Sequence, residues 1–213
     1  MLRRKPETHS NGAITGLESA RRYAEIAQRS RARFRSFLRQ VESLGIPGNY
    51  LDVGAGPGIQ AALVARSNPG VQITALEISR DMVGVGREYV EREGLQDQIR
   101  YVIGDGADAE VVSELGTFDL VYSVHSLHHW DDPRRVIGNC LSVTTEEGTL
   151  LIHDLRRVWW LYWVPIHNGL LDSIRAAYVD TELRSMLDDI PAISYEVRKD
   201  RPFMHSAIIR RRL

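Results

Sequence analysis

Short apolar runs of strand length recur through the middle of the chain: Tyr50 to Val53, Val71 to Leu76, Ile99 to Ile103, Phe118 to Val124 and Thr149 to Ile152. The segments between them can be helical, so strand and helix alternate over roughly 100 residues. Such a rhythm predicts a parallel sheet covered on both faces, with ligands bound beyond the carboxyl ends of its strands. Ahead of the first run, Tyr23, Ile26, Phe34, Phe37, Leu38, Val41 and Leu44 recur at helical spacing and leave Arg31, Arg35 and Arg39 mostly off the stripe. That pattern predicts one amphipathic helix from about Leu17 to Leu44, ended by Gly45 and Pro47. After Asp154 the chain is helical and aromatic, and Ile193 to Lys199 and Met204 to Arg210, separated by Asp200, Arg201 and Pro202, read as a terminal antiparallel hairpin. Residues 1–12 are expected to form a flexible arm, and 13–213 a single domain.

Composition narrows the class without changing this picture. At 213 residues, 43% hydrophobic and 26% charged, the chain suits one ordinary globular domain. No uncharged apolar run reaches the roughly 18 residues of a membrane span, and Met1 to Gly12 lacks the apolar segment of a signal peptide, so a cytoplasmic protein is expected. The single cysteine, Cys140, permits no internal disulfide and is expected to be a small buried hydrophobe. The net charge of -1 hides a positive N-terminal segment, because the first 40 residues carry ten basic and three acidic side chains.

The richest chemistry follows the first strand, where Leu51-Asp52-Val53-Gly54-Ala55-Gly56-Pro57-Gly58 runs from strand through a glycine turn into a helix near Ile59. Its spacing is G-x-G-x-G, whereas the dinucleotide fingerprint would need its third glycine where Ile59 stands. A phosphate-cradling loop is excluded by the lack of a following Gly-Lys-Ser/Thr. On these residues the chain resembles the class I S-adenosylmethionine-dependent methyltransferases, specifically the small type 11 group that includes ubiquinone and menaquinone biosynthesis methyltransferases. The resemblance covers roughly Tyr50 to Asp154. It implies that Asp52, Gly54, Ala55, Gly56 and Gly58 form the loop under the methionine part of S-adenosylmethionine. It further implies that Glu77, followed by Ile78, accepts from both ribose hydroxyls, that Met82 packs on the adenine, and that Asp105, with Gly106 and Ala107, accepts from the adenine amino group. The bland readings are a turn-holding Asp52, an exposed strand terminus at Glu77 and an ordinary Asp-Gly turn at Asp105. Three acids at three successive strand ends favour the cofactor reading.

The fourth strand ends in Ser123-Val124-His125-Ser126-Leu127-His128-His129, resembling that family's serine-x-x-x-leucine-His-His stretch, which borders the methionine and the substrate. Ser123 joins the cofactor contacts. No cysteine and carboxylate array at ligand spacing accompanies the histidines, so no metal centre is expected. His128 and His129 are the candidate general bases, against the simpler reading that they shape the pocket and order the loop. Beyond Asp154, Trp159, Trp160 and Trp163 either pack in the core or form an aromatic lid over the substrate, within a lid region of about 155–190. Tyr178, and more weakly Tyr23, are candidates to reach the pocket.

The resulting expectation is an α/β, Rossmann-like three-layer sandwich whose seven-stranded, mostly parallel sheet has order 3-2-1-4-5-7-6 with strand 7 antiparallel. The expected activity is methyl transfer from S-adenosylmethionine to a small, partly apolar acceptor. Two rivals stand beside it: an RNA methyltransferase using the Arg-rich N-terminal helix, and a non-catalytic S-adenosylmethionine-binding regulator or assembly subunit. A pI near 6.7 and no appended RNA-binding module argue against a nucleic-acid partner. The basic helix is otherwise a solvated face or a peripheral contact for anionic lipid.

Overall fold

The computed structural model describes residues 3–5, 15–166, 168–200 and 202–212. Seven strands form one sheet: β1 (Asn49–Val53), β2 (Gln72–Glu77), β3 (Ile99–Ile103), β4 (Phe118–Val124), β5 (Thr144–Leu155), β6 (Ile193–Asp200) and β7 (Met204–Arg211). Their order is β3-β2-β1-β4-β5-β7-β6, as the sequence predicts. The first five pair in parallel, and β7 inserts antiparallel between β5 and β6. β5 begins at Thr144 rather than Thr149, because a register shift opposite Phe118 and Leu120 lets it continue pairing.

Successive side chains of a strand point to opposite faces, and the core divides accordingly. Tyr50, Ile73, Tyr122 and Ile208 face one layer, while Leu51, Leu76, Val121 and Ile209 face the other. The helices α1 (Leu17–Arg29), α2 (Arg35–Leu44), α3 (Ile59–Ser67) and α4 (Arg80–Arg92) precede β3 in the chain. The first layer is covered by α2, α3 and α4, through Phe37, Val41, Val64 and Tyr89. α5 (Ala109–Ser113) and α6 (Pro133–Ser142) follow β3 and β4 and cover the second, which also buries Cys140. Burial pushes the Cys140 thiol up to about 12, so it stays protonated.

The single helix expected over 17–44 is instead two, joined by a 3-10 turn at Arg31–Phe34. At about 1.5 Å per residue one straight helix would be about 42 Å long, longer than seven strands spaced about 4.8 Å apart are wide. The break lets α1 lie on α4, where Ala20 and Ala24 pack with Met82 and Val85, while α2 crosses toward β5 and β7. There Phe37 meets the rings of Tyr122 and His153, and Gln40 donates to Ser206 and Asp200. After β5 come α7 (Trp159–Tyr162), α8 (Gly169–Ala176) and α9 (Asp180–Asp188). Of the arm expected over 1–12, residues 3–5 are docked against α7 and α8, and 1–2 and 6–12 lie outside the described residues.

Candidate active site

In the order 3-2-1-4-5 the chain reverses direction across the sheet between β1 and β4, which opens a crevice at their carboxyl ends. The glycine turn sits at that point. The Gly54 and Ala55 amides donate to Leu76 O at 2.9 and 3.1 Å, fastening the turn to the end of β2. Ser123 Oγ donates to Val53 O at 2.8 Å and Ser126 Oγ to Gly54 O at 3.2 Å, fastening it to the end of β4. A side chain at Gly54 would strike Ser126, since its Cβ would lie 2.4 Å from Oγ, and φ is +76°. Glycine is required there for close approach.

Glu77 ends β2 nearly buried. Its Oε2 accepts from Gly56 N at 2.8 Å and its Oε1 from Ser79 N at 2.9 Å. Burial raises its carboxyl, and the Ser79, Gly56 and Ile78 amides pull it back down. A carboxylate has about four acceptor positions, so these amides leave it capacity to accept from a ligand. Asp52 lies deeper at the end of β1, opposite Tyr122 on β4, and burial pushes its carboxyl up to about 8 against a partial offset from the Tyr122 hydroxyl. Asp105 follows β3 and accepts from Ala107 N at 2.8 Å through one oxygen. Met82 is buried between α4 and α1 with Ala20, Ala24 and Val85, while its neighbour across the turn, Ile78, is 37% exposed.

At the end of β4 the chain turns sharply at His125, a non-glycine residue with φ +59° whose amide donates to His153 O. The next residues form a 3-10 turn, Leu127–His129, that buries His128 against β5. His128 Nδ1 lies 2.7 Å from Asp154 Oδ1, and His128 N donates to Asp154 Oδ2 at 2.8 Å. Burial alone would raise the Asp154 carboxyl, but the His128 imidazole and its hydrogen bond hold it well below the usual carboxylate range. In a neutral imidazole whose Nδ1–H donates to the Asp154 carboxylate, Nε2 is the acceptor. Nε2 has no hydrogen-bond partner among the described residues. His129 is half-buried, its ring 4.0 Å from that of His128. Among the described residues no group of three or more His, Cys, Asp or Glu is placed to hold a metal ion.

Asp154 was legible as a strand-end acid but drew no role from its sequence context. The positive φ of His125 had no sequence signal. The tryptophans are not core, since Trp159 is 74% and Trp163 72% exposed on the segment after β5. Tyr178 packs beside α9 with the second core layer, and Tyr23 lies on α1 at the surface. A separate cleft of about 490 Å³, lined by Asn49, Gln72, Thr74 and Arg100 among others, opens at the amino ends of the strands, away from all these residues.

An open sheet of this order, with a glycine turn at its crossover and acids ending β1, β2 and β3, defines the class I methyltransferase architecture. Over residues 51–152 the chain matches the family described as a methyltransferase domain. It is 28% identical over 150 residues to methyltransferase GfsG of Streptomyces halstedii, covering 67% of this chain and 49% of that protein. It is 32% identical over 115 residues to the ubiquinone biosynthesis O-methyltransferase of Xanthomonas campestris pv. campestris, covering 54% and 46%. The chain thus spans about half the length of these curated relatives. Its fold is similar to that of the plantazolicin methyltransferase BpumL, solved with a desmethyl substrate analogue and S-adenosylhomocysteine, at TM-score 0.70, 15% identity and 92% coverage of both chains.

Proposed function

We propose that the protein transfers a methyl group from S-adenosylmethionine to a small, partly apolar acceptor bearing a hydroxyl. The observation that carries the cofactor half is Glu77, held by the Gly56, Ser79 and Ile78 amides with acceptor capacity left over, next to the open space above Gly56. That arrangement suits a vicinal diol, and a Cβ at Gly56 would fill the space, so the residues fit the cofactor. Gly54, Ala55, Gly56 and Gly58, with Ser123 holding the turn and Asp52 beside it, would lie under its methionine end. Ile78, Asp105, Gly106 and Ala107 would hold the adenine. When bound, the cofactor supplies an electrophilic methyl group whose thioether leaving group needs no proton.

The acceptor half rests on His128. A hydroxyl must lose its proton as it is methylated, and a buried imidazole with Nδ1 fixed on Asp154 and Nε2 unpartnered is built to take one. This favours catalysis over a non-catalytic regulator. His128 is the base, and His129 shapes the pocket. Charge alone supports an RNA substrate, and three of the arginines already have partners in the fold, Arg21 with Glu88, Arg29 with Glu25, and Arg31 donating to Tyr89. Peripheral contact with anionic lipid remains a role for its solvent face. Among the described residues no helix is long and apolar enough to cross a membrane, and a cytoplasmic location suits a chain with one buried cysteine. Titration calorimetry tests the reading: S-adenosylhomocysteine should bind at micromolar affinity and NADH should not. Glu77→Ala should weaken that binding by about 1 to 3 kcal/mol. Binding of NADH alone, or an unchanged affinity in a folded Glu77 variant, would remove the basis of the assignment.

A further inference from the structure

The N-terminal residues 3–5 make a set of contacts that neither the fold nor the cofactor site requires. Arg4 Nε donates to Ala176 O at 2.5 Å, and its NH2 group donates to His128 O at 2.6 Å. The same guanidinium stacks 4.4 Å from the Tyr178 ring centroid. On either side, Lys5 N donates to Arg175 O at 3.1 Å, Lys5 Nζ lies 4.9 Å from the Tyr162 ring centroid, and Tyr162 Oη donates to Arg3 O at 3.0 Å. One three-residue stretch therefore touches α7, the end of α8, Tyr178 between α8 and α9, and the histidine turn.

The carbonyls it takes are unusual. Arg175 O and Ala176 O lie at the end of α8, where a helix leaves its last four carbonyls without intrahelical donors and carries partial negative charge. A backbone amide and a guanidinium satisfy two of them. His128 O belongs to the residue assigned above as base, and α8 packs on its turn. A planar guanidinium, with donors in a fixed fork, can hold two carbonyls on separate elements in one geometry, which a single ammonium cannot.

We propose that residues 3–5 are a strap closing the acceptor end of the crevice, with Arg4 as the positioning residue that locks α8 to the His128 turn. The acceptor enters and leaves when the strap lifts. This rests on the reading that the acceptor meets His128, but the strap itself is tested without an acceptor. His128 Nε2 is buried and Arg4 holds the backbone carbonyl of the same residue, so labelling of that ring reports whether the turn held by Arg4 opens. The probe is diethylpyrocarbonate, which acylates accessible neutral imidazole, with labelling of His128 followed by peptide mass spectrometry on the full chain.

Arg4→Ala should speed His128 labelling by about tenfold, the signature of a more populated local opening, while the melting temperature shifts by no more than about 2 °C. Tyr162→Phe, which removes only the bond to Arg3 O, should speed it by about two- to threefold. Arg4→Lys should restore only part of the protection. Unchanged labelling in Arg4→Ala, or full protection in Arg4→Lys, would overturn the strap. S-adenosylhomocysteine affinity should be the same in all variants, because no cofactor residue touches the strap. Failure of the wild-type protein to bind that nucleoside would instead count against the cofactor reading, leaving the labelling result to stand by itself.

Discussion

Histidines at the crevice fall into two chemical groups set by their partners. His128 has a carboxylate on Nδ1, whereas His125 and His153 are buried beside Phe34 and Phe37, and burial lowers them to about 3 and about 4. Unfolding would let both bind protons below the ordinary histidine value of 6.5, so stability they confer above that pH is lost as pH falls toward 4. Asp52 acts in the opposite sense. Its carboxyl is raised from 3.8 to about 8, so the folded state holds a proton that the unfolded state releases, and stability falls as pH rises through that interval. With two histidines against one aspartate, these groups place maximal stability near pH 6.5. Thermal melts from pH 4 to 9 should show that maximum. Asp52→Asn should flatten the alkaline limb, and His125→Asn, whose side chain tolerates positive φ, should flatten the acid limb. Catalysis separates the groups again. His128→Ala should lower turnover of a phenolic acceptor by about 100-fold or more and remove the acid limb of the rate profile. His129→Ala should mainly raise the Michaelis constant; equal losses of turnover in the two variants would contradict the assignment of one base.

Elements position these residues through a few close approaches. Gly54 and Gly56 both have positive φ, +76° and +53°, yet only Gly54 has a neighbour where a Cβ would be. Gly54→Ala must displace Ser126, which bonds Gly54 O, so it should destabilise the fold by clearly more than the backbone cost alone. Gly56→Ala meets nothing within 4 Å and should cost only about 1 kcal/mol of stability, the penalty of a left-handed L-residue. Its methyl group would nevertheless occupy the space assigned to the cofactor, so S-adenosylhomocysteine affinity should fall about tenfold or more. Paired denaturant melts and calorimetry on the two variants check this, and a Gly56 variant that binds normally would place the cofactor elsewhere.

For the molecule as a whole, the region after β5 is held by arginines rather than by a deep core. Buried Arg157 donates to Ala177 O at 2.7 Å and pairs with Glu182 at 2.5 Å, joining the start of the lid to α9. Arg175 gathers Tyr162 O and Ile166 O, the loose carbonyls around α7. The apolar cluster beneath is small, centred on Leu155, Val158, Ile174, Ala177 and Met204. Arg157→Met should therefore loosen the segment after β5 by about 1 to 3 kcal/mol, the cost of losing hydrogen bonds to a charged group whose partner Glu182 still reaches solvent. Amide hydrogen exchange should show faster opening there and no change in β1 to β4; uniform acceleration would mean the lid and sheet open as one unit.

Periodicity predicts the parallel strands and the terminal hairpin, while their order followed from the family resemblance. Five apolar runs separated by helical segments can be buried only as parallel strands between helix layers, and a two-run terminal pair only as a hairpin at the edge. The strand-end acids Asp52, Glu77 and Asp105 were legible for the same reason, since a ligand site beyond a parallel sheet draws on whatever follows each strand. Tertiary structure decided what depends on contacts between distant segments. The N-terminal helix breaks at Arg31–Phe34 because α1 and α2 must follow different parts of the surface, and Met82 turns inward because α1 lies on it. His128 differs from His129 only because Asp154, 26 residues away, faces one ring and not the other. Arg4 reaches His128 across 124 residues of sequence, a pairing that no local pattern encodes.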